Sequence, residues 1–320
     1  MSDVVVVGGG ISGIACARVC ADAGISVRVL DRGHRAGGRM ATRTLRDLPD
    51  GEHAADTGAP YFTASDDGFR AVVDGWVARG LAREWTDTFH TAGPLGLREA
   101  KTGPMRYAST SGLRTLVEDL ADGIELRAGA EIGPLGVHRL VDGETPRIVV
   151  LAMPGPQAAR VLTDHHAATA AVADQPYDAA LSLVARFEER TWPEFDGAFV
   201  SSVPEVSWIA DDGRSRGDGA PVLVAHSTPE FAAEHLDDPE AALPDLLRAL
   251  RTVLGVHGDP LWTHVQRWTF AKPTGSREAT FHLGADGIGL CGDGWSQKSK
   301  VEAAWRSGTD LGEAIRERLA

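Results

Sequence analysis

The chain has 320 residues, 43% of them hydrophobic and 24% charged, which suits a globular protein with enough chain for a substantial core. A net charge of −13 excludes the basic footprint of a general nucleic-acid or membrane-surface binder. Cys16, Cys20 and Cys291 are too few for a disulfide scaffold and are expected to be small buried side chains.

Val4–Val7 is an unbroken β-branched run, as expected of a strand covered on both faces of a parallel sheet. Gly8, Gly9 and Gly10 form a turn. Residues 11–23 carry Ile11, Ile14, Ala15 and Val19 at helical spacing, and Gly24 stops the helix. Residues 25–30 read as a second strand, which completes one βαβ unit. This apolar start lacks a basic head, carries Asp3, is broken by glycines and soon reaches Arg18. It predicts neither a secretory leader nor a membrane span, but a cytoplasmic, reducing location.

Beyond Arg39 the pattern is irregular. ADTGAPYFTAS reads as a loop or short strand, residues 67–79 as a helix, and residues 84–91 and 105–108 as short strands. STSGLRTLVEDLADG predicts a helix followed by the strand IELRAG, and RIVVLAMPGPQAARVL a buried strand, a turn and a helix. His165 and His166 lie in a polar helical stretch and are expected to be solvated, not metal-ligating. From Tyr177 onward, AALSLVARFEE, VSWIADD, APVLVAHS and LWTHVQRWTFA predict an antiparallel sheet, interrupted by a helix over 239–254. GIGLCGDGW is a strand and glycine turn, and residues 301–319 form a long closing helix.

These elements predict an α/β chain with a Rossmann-like dinucleotide-binding domain and an inserted antiparallel-sheet substrate domain. The first domain is expected to comprise 1–62, 100–160 and 265–320, and the second 63–99 and 161–264.

Gly8, Gly10 and Gly13 make a G-x-G-x-x-G motif between strand and helix, with Asp31 at the end of the next strand. Gly8 serves the tight turn, Gly10 the approach of a pyrophosphate, and Gly13 the packing of helix on strand. Ile11 and Ser12 lie in the first helical turn, whose N–H groups and dipole favour phosphate. Asp31 suits the ribose hydroxyls of an adenosine. It would repel a 2′-phosphate, an effect that Arg32 softens. Up to this point NAD and FAD remain open.

AGGRMATR resembles the second phosphate-contact motif of glutathione-reductase-like flavoproteins, with Gly37, Gly38 and Arg39 after the acid-bearing strand and Met40 following. GIGLCGDGW resembles the closing motif of the same class, in which an aspartate, here Asp293 after Gly292, contacts the phosphate–ribityl region. Val301 then opens the last helix. Together these resemblances imply FAD.

DTGAPYFTAS, VVLAMPGPQAARVL, QRWTFAKP and CGDGWSQKSKVEAAWRSG follow one another as in the renalase family, which the chain resembles along nearly its whole length. The resemblance implies a monoamine-oxidase-like fold, with Gly58, Ala59 and Pro60 also at the cofactor. It also implies oxidation of 2- and 6-dihydro-NAD(P) to NAD(P)⁺, with oxygen reduced to peroxide. The chain departs from that family at Thr57 and Pro60, where histidine and glutamine are usual, and at Gln266, where histidine is common. Lys298 and Ser299 stand in place of a glycine pair.

Hydride transfer to flavin needs a donor carbon about 3–3.5 Å from N5 in a flat, water-excluding slot. A dihydronicotinamide becomes aromatic on losing hydride, so no base is required, and no Ser-His-Asp, Cys-His or metal-binding set stands out in the sequence. Tyr61, Phe62, Trp208, Trp268 and Trp295 are candidates for the slot, with Tyr61 and Trp268 in the family-like motifs. Arg267 is a candidate partner for a carboxamide or phosphate, and Lys272, Lys298 and Lys300 for assisting oxygen reduction. The alternatives are an amine-oxidase or desaturase-type flavoenzyme acting on a small organic substrate, and a flavin-binding module without turnover. No nucleic-acid or membrane partner is expected.

Overall fold

A computed structural model of the chain describes residues 2–320. In chain order its strands are β1 (Val4–Val7), β2 (Val27–Asp31), β3 (Thr42–Leu45), β4 (His53–Asp56), β5 (Ala82–Gly93), β6 (Gly96–Ser109), β7 (Glu125–Ala128) and β8 (Ile148–Leu151). They continue with β9 (Tyr177–Arg186), β10 (Gly197–Val200), β11 (Val206–Asp211), β12 (Val222–Ser227), β13 (Trp262–Pro273), β14 (His282–Leu283) and β15 (Ile288–Leu290). The helices are α1 (Ile11–Asp22), α2 (Asp67–Ala78), α3 (Arg114–Leu120), α4 (Gly155–Val161) and α5 (His166–Val172). They are followed by α6 (Asp212–Arg216), α7 (Pro229–Glu234), α8 (Leu243–Leu254) and α9 (Val301–Leu319). Among the described residues, no helix is long and apolar enough to cross a membrane.

The chain divides into two compact units. One comprises Met1–Met40, Arg114–Tyr177 and Lys272–Ala320, the other Ala41–Leu113 and Asp178–Ala271. The loop carrying Gly58, Ala59, Pro60 and Tyr61 thus belongs to the second unit, whereas the glycine turn at Gly8 and the closing turn at Asp293 belong to the first.

The first unit is built on a six-stranded sheet of order β14-β15-β8-β1-β2-β7. All its pairs are parallel except β14 with β15. The valine run of β1 lies at the centre, flanked on both sides, so each of its residues is buried. Val5 and Val7 pack with Leu151, Ala158, Leu162 and Ala168. β2 starts two residues later than the sequence predicts because Ile25 N–H is tied back to Cys20 O of α1. All three cysteines are buried.

His165 departs from its sequence expectation. It is buried, not solvated, with Nδ1 at 2.8 Å from Asp286 Oδ2 and Nε2 at 3.1 Å from Gly136 O. Asp286 lies 121 residues away, so nothing local announced the pairing. Among the described residues, no cluster of His, Cys, Asp or Glu is arranged to hold a metal.

The second unit carries a seven-stranded sheet of order β13-β9-β12-β11-β10-β5-β6. The β9–β12, β12–β11, β11–β10 and β5–β6 pairs are antiparallel, whereas β10 and β5 run parallel. Strand alternation sorts the side chains by face. Leu181, Leu183, Ala185, Ile209, Leu223 and Ala225 join Leu246, Leu250 and Val253 of α8 in one apolar core. The intervening Ser182, Val184, Trp208, Ala210, Val224 and His226 face the other way. Where two short strands were expected, β5 and β6 form a long hairpin. Its polar stretch, Arg98–Gly103 in β6, is held by backbone pairing, which side-chain patterning does not reveal. The helix expected over 239–254 begins with a 3₁₀ turn, Pro239–Ala242, before α8.

Candidate functional site

The glycine motif becomes a cradle at the N-terminus of α1. Gly10 caps the helix without any side-chain bond and no acid occupies the first turn; the first helical bond runs from Ile14 N to Gly10 O. The N–H groups of Ile11, Ser12 and Gly13 therefore precede the helical ladder, and the dipole at this end favours an anion. Gly8 has φ +116°, and a Cβ there would lie 2.3 Å from Ala152 O. At Gly10 an added Cβ would approach only Gly38 Cα, at 4.0 Å. Space is thus kept in front of Gly10 and denied behind it.

Asp31 orders the same cradle. Its Oδ2 accepts from Gly9 N at 2.5 Å and its Oδ1 from Gly33 N at 2.6 Å. Gly37 N donates to Gly9 O at 2.9 Å, and Gly10 and Gly37 form an isolated parallel bridge. Gly38 and Arg39 are thereby carried to the cradle, Met40 is buried behind them, and Arg32 is exposed.

The closing turn joins from β15. Arg39 makes paired bonds to Asp293, and Ser299 Oγ donates to Asp293 Oδ2 at 2.6 Å. Ser299, one of the departures from the renalase pattern, thus helps orient the aspartate. Gln175 Nε2 donates to Gly294 O at 2.7 Å, and Arg39 lies 6.0 Å from the ring of Tyr177. Burial, reinforced by Asp293, pushes the Tyr177 phenol up to about 12. Gly292 has φ +144° with open space where a Cβ would point, and Val301 is the first residue of α9. A capless helix start, an acid and an arginine around open backbone fit the adenosine, ribose and diphosphate parts of FAD.

The second unit supplies an aromatic wall. Tyr61 lies 5.1 Å from Phe89, 5.7 Å from Trp208 and 6.3 Å from Trp85, measured between ring centroids. Phe89 and Trp208 are 4.7 Å apart, and the Arg106 guanidinium sits 3.8 Å from the Phe89 centroid. Burial raises the Tyr61 phenol above its ordinary value, and Arg106 counters this in part. Trp268 Nε1 donates to Thr57 O at 2.6 Å, which ties β13 to the loop of Gly58, Ala59 and Pro60.

The other candidates are placed differently. Phe62 is buried against Phe69, Trp76 and Tyr107. Trp295 is 6% exposed within the core of the first unit and carries Arg277 at 4.7 Å from its ring. Arg267 is exposed and donates to Leu236 O at 2.6 Å; Lys272, Lys298 and Lys300 are exposed. Reading by motif missed Arg106, Trp85, Phe89 and His226. The alternation of the strands that carry them was the available signal.

Two family models match the chain: an NAD(P)-binding Rossmann-like domain over residues 6–76, and flavin containing amine oxidoreductase over residues 86–315. The (S)-6-hydroxynicotine oxidase of Paenarthrobacter nicotinovorans is 34% identical over 134 residues, which is 41% of this chain and 31% of that relative. The solved structure of a putrescine oxidase shares the fold at TM-score 0.76 and 17% identity, over 99% of each chain. That of cyclohexylamine oxidase from Brevibacterium oxydans does so at 0.74 and 15%, also over 99% of each chain. The second family model spans most of the sequence, and the cradle has the chemistry its cofactor needs. The chain belongs to the flavin-containing amine oxidoreductase family, and its cofactor is FAD.

Proposed function

We propose that the protein is an oxidase that takes hydride from a carbon beside nitrogen in a flat, uncharged heterocycle. Within the family this is the renalase-like reading, with 2- or 6-dihydro-NAD(P) as substrate and NAD(P)⁺ as product. The observation that carries it is the aromatic wall around Tyr61 and Phe89: it holds a buried arginine, and among the described residues no carboxylate pairs with that arginine. Planar rings stack well there, whereas a protonated amine would meet like charge.

The first turn of α1, with Gly8, Gly10, Ile11, Ser12 and Gly13, would hold the diphosphate, and Asp31 the ribose. Gly38, Arg39, Met40, Gly292, Asp293 and Val301 would line the remainder. FAD held there would supply the hydride acceptor, with oxygen as the proposed terminal two-electron acceptor. Tyr61 and Trp268 would orient the donor ring. Burial raises the Tyr61 phenol above its ordinary value, so Tyr61 would act as a hydrogen-bonding group and not as a base.

A second reading, oxidation of a neutral amine, is favoured by the relative named for 6-hydroxynicotine. Anaerobic mixing of the yellow protein with 6-dihydro-NAD, NADH and simple amines separates the two. Flavin bleaching by the dihydro isomer supports the first reading, and bleaching by amines alone replaces it with the second. A flavin that no donor reduces would leave a binding module.

A further inference from the structure

Arg106 is 8% exposed, its guanidinium carbon lies over the Phe89 ring at 3.8 Å from the centroid, and its Nη1 has no hydrogen-bond partner. Around the same Phe89 ring stand Trp208, 5% exposed, and Trp85, at centroid distances of 4.7 and 5.3 Å. Both indole Nε1 atoms are buried without a partner. The cluster therefore offers three unsatisfied donors, one of them charged. Cation–π contact with Phe89 and Tyr61 and a hydrogen bond to the Tyr61 phenol offset part of the cost of burying that charge, but Nη1 is left without a partner.

The register sharpens the pattern. Phe199, Trp208, His226 and Ser182 are direct cross-strand partners on β10, β11, β12 and β9, so they share one face of the sheet. His226 Nε2 and Ser182 Oγ are also buried without partners. Phe199 is 51% exposed and lies 4.8 Å from Trp208, while Tyr61 and Trp85 are only half-buried, so the cluster has a solvent-open edge.

We infer that Arg106, with the indole N–H groups of Trp85 and Trp208, recognises an anionic oxygen group on a planar substrate, either a carboxylate or a phosphate ester. The inference rests on reading the second unit as the substrate-binding one. Stacking orients the ring, and the guanidinium takes two oxygens of the anion in a charge-assisted pair. The same arginine rejects a cation from a cage that rings alone would have offered it.

The test is calorimetric titration of the FAD-loaded protein with benzoate, phenyl phosphate, benzyl alcohol and benzylamine. At least one of the two anions is expected to bind about tenfold or more tighter than benzylamine, and the stronger anion names the source of the oxygen group. Arg106→Met should remove about tenfold or more of that affinity while leaving benzyl alcohol unchanged, and Arg106→Lys should restore part of it. Trp208→Phe keeps a ring but loses its N–H, and should weaken the anion severalfold even if Arg106→Met does not fold.

Benzylamine matching both anions, or anion affinity indifferent to Arg106→Met and Trp208→Phe, would overturn the inference. An equal loss of benzyl alcohol in the variants would do so too, since it would mean general collapse of the wall. Anion binding that depends on Arg106 in a protein whose flavin no donor bleaches would sink the oxidase reading and leave this one standing. Bleaching by dihydro-NAD with anion binding insensitive to Arg106 would do the reverse.

Discussion

Arg39 and Asp293, 254 residues apart in sequence, meet as a bidentate ion pair in which Nη1 donates to Oδ2 at 3.0 Å and Nη2 to Oδ1 at 2.5 Å. The pair joins the loop after β2 to the turn after β15, and the Ser299 hydroxyl completes it. It sets a positive group beside the cradle and neutralises the acid that would otherwise repel a diphosphate. Arg39→Met should therefore lower FAD affinity about tenfold or more, measured by reconstituting apoprotein and following flavin fluorescence. Asp293→Asn added to it should cost less than it does alone, with a coupling of about 1–3 kcal/mol. Strict additivity would show that the two side chains act on the cofactor separately.

The three motif glycines should respond differently to one methyl group. At Gly13 an added Cβ would lie 2.0 Å from Gly8 O, and at Gly8 it meets Ala152 O under positive φ, so alanine at either position should yield little folded protein. At Gly10 the same methyl fits. Gly10→Val should thus keep a native circular dichroism spectrum yet purify colourless, because the branch fills the space proposed for phosphate. A yellow Gly10→Val protein would show that the diphosphate lies elsewhere.

Two buried groups give opposing pH slopes. Asp56 accepts from Thr42 Oγ1 at 2.6 Å and Leu113 N at 2.9 Å, and burial followed by the Asp212 charge pushes its carboxyl from 3.8 to about 7. Its folded-state proton stabilises fully below the unfolded value, and this contribution is lost as pH rises towards 7. His226 is the reverse: burial pulls its ring from 6.5 to about 4, so its contribution is present above 6.5 and lost as pH falls towards 4. Each slope is at most about 1.4 kcal/mol per pH unit. Urea unfolding between about pH 4 and 7 should show stability rising with pH in Asp56→Asn and falling in His226→Gln, each relative to wild type. Parallel curves for the three proteins would contradict both assignments.

Gly197 lets the aromatic wall assemble. A Cβ there would lie 2.4 Å from the Trp208 ring and 2.9 Å from Phe89. Gly197→Ala should displace Trp208, cost about 1–3 kcal/mol in thermal unfolding, and raise KM more than it lowers FAD content. Unchanged KM in a folded Gly197→Ala protein would remove Trp208 from the substrate wall.

The nucleotide half of the protein was legible because its signals are local. Four valines require cover on both faces, three glycines and an acid lie within one βαβ unit, and the α9 boundaries follow from helical spacing and end where expected. Local spacing did not reveal the extent of the β5–β6 hairpin, because backbone pairing holds its polar stretch. Nor did it reveal the burial of His165, whose partner is Asp286, or the use of Ser299 as a brace for Asp293.

By itself, then, the sequence determined a Rossmann-like βαβ unit with its glycine turn, since that follows from residues a few positions apart. Only the tertiary structure decided that Arg106 lies buried on Phe89 with, among the described residues, no acid paired to it, and that Arg39 and Asp293 face one another. The physical reason is range. Periodicity reports which way a side chain points, whereas the cost of a buried charge depends on atoms delivered by strands far away in the chain.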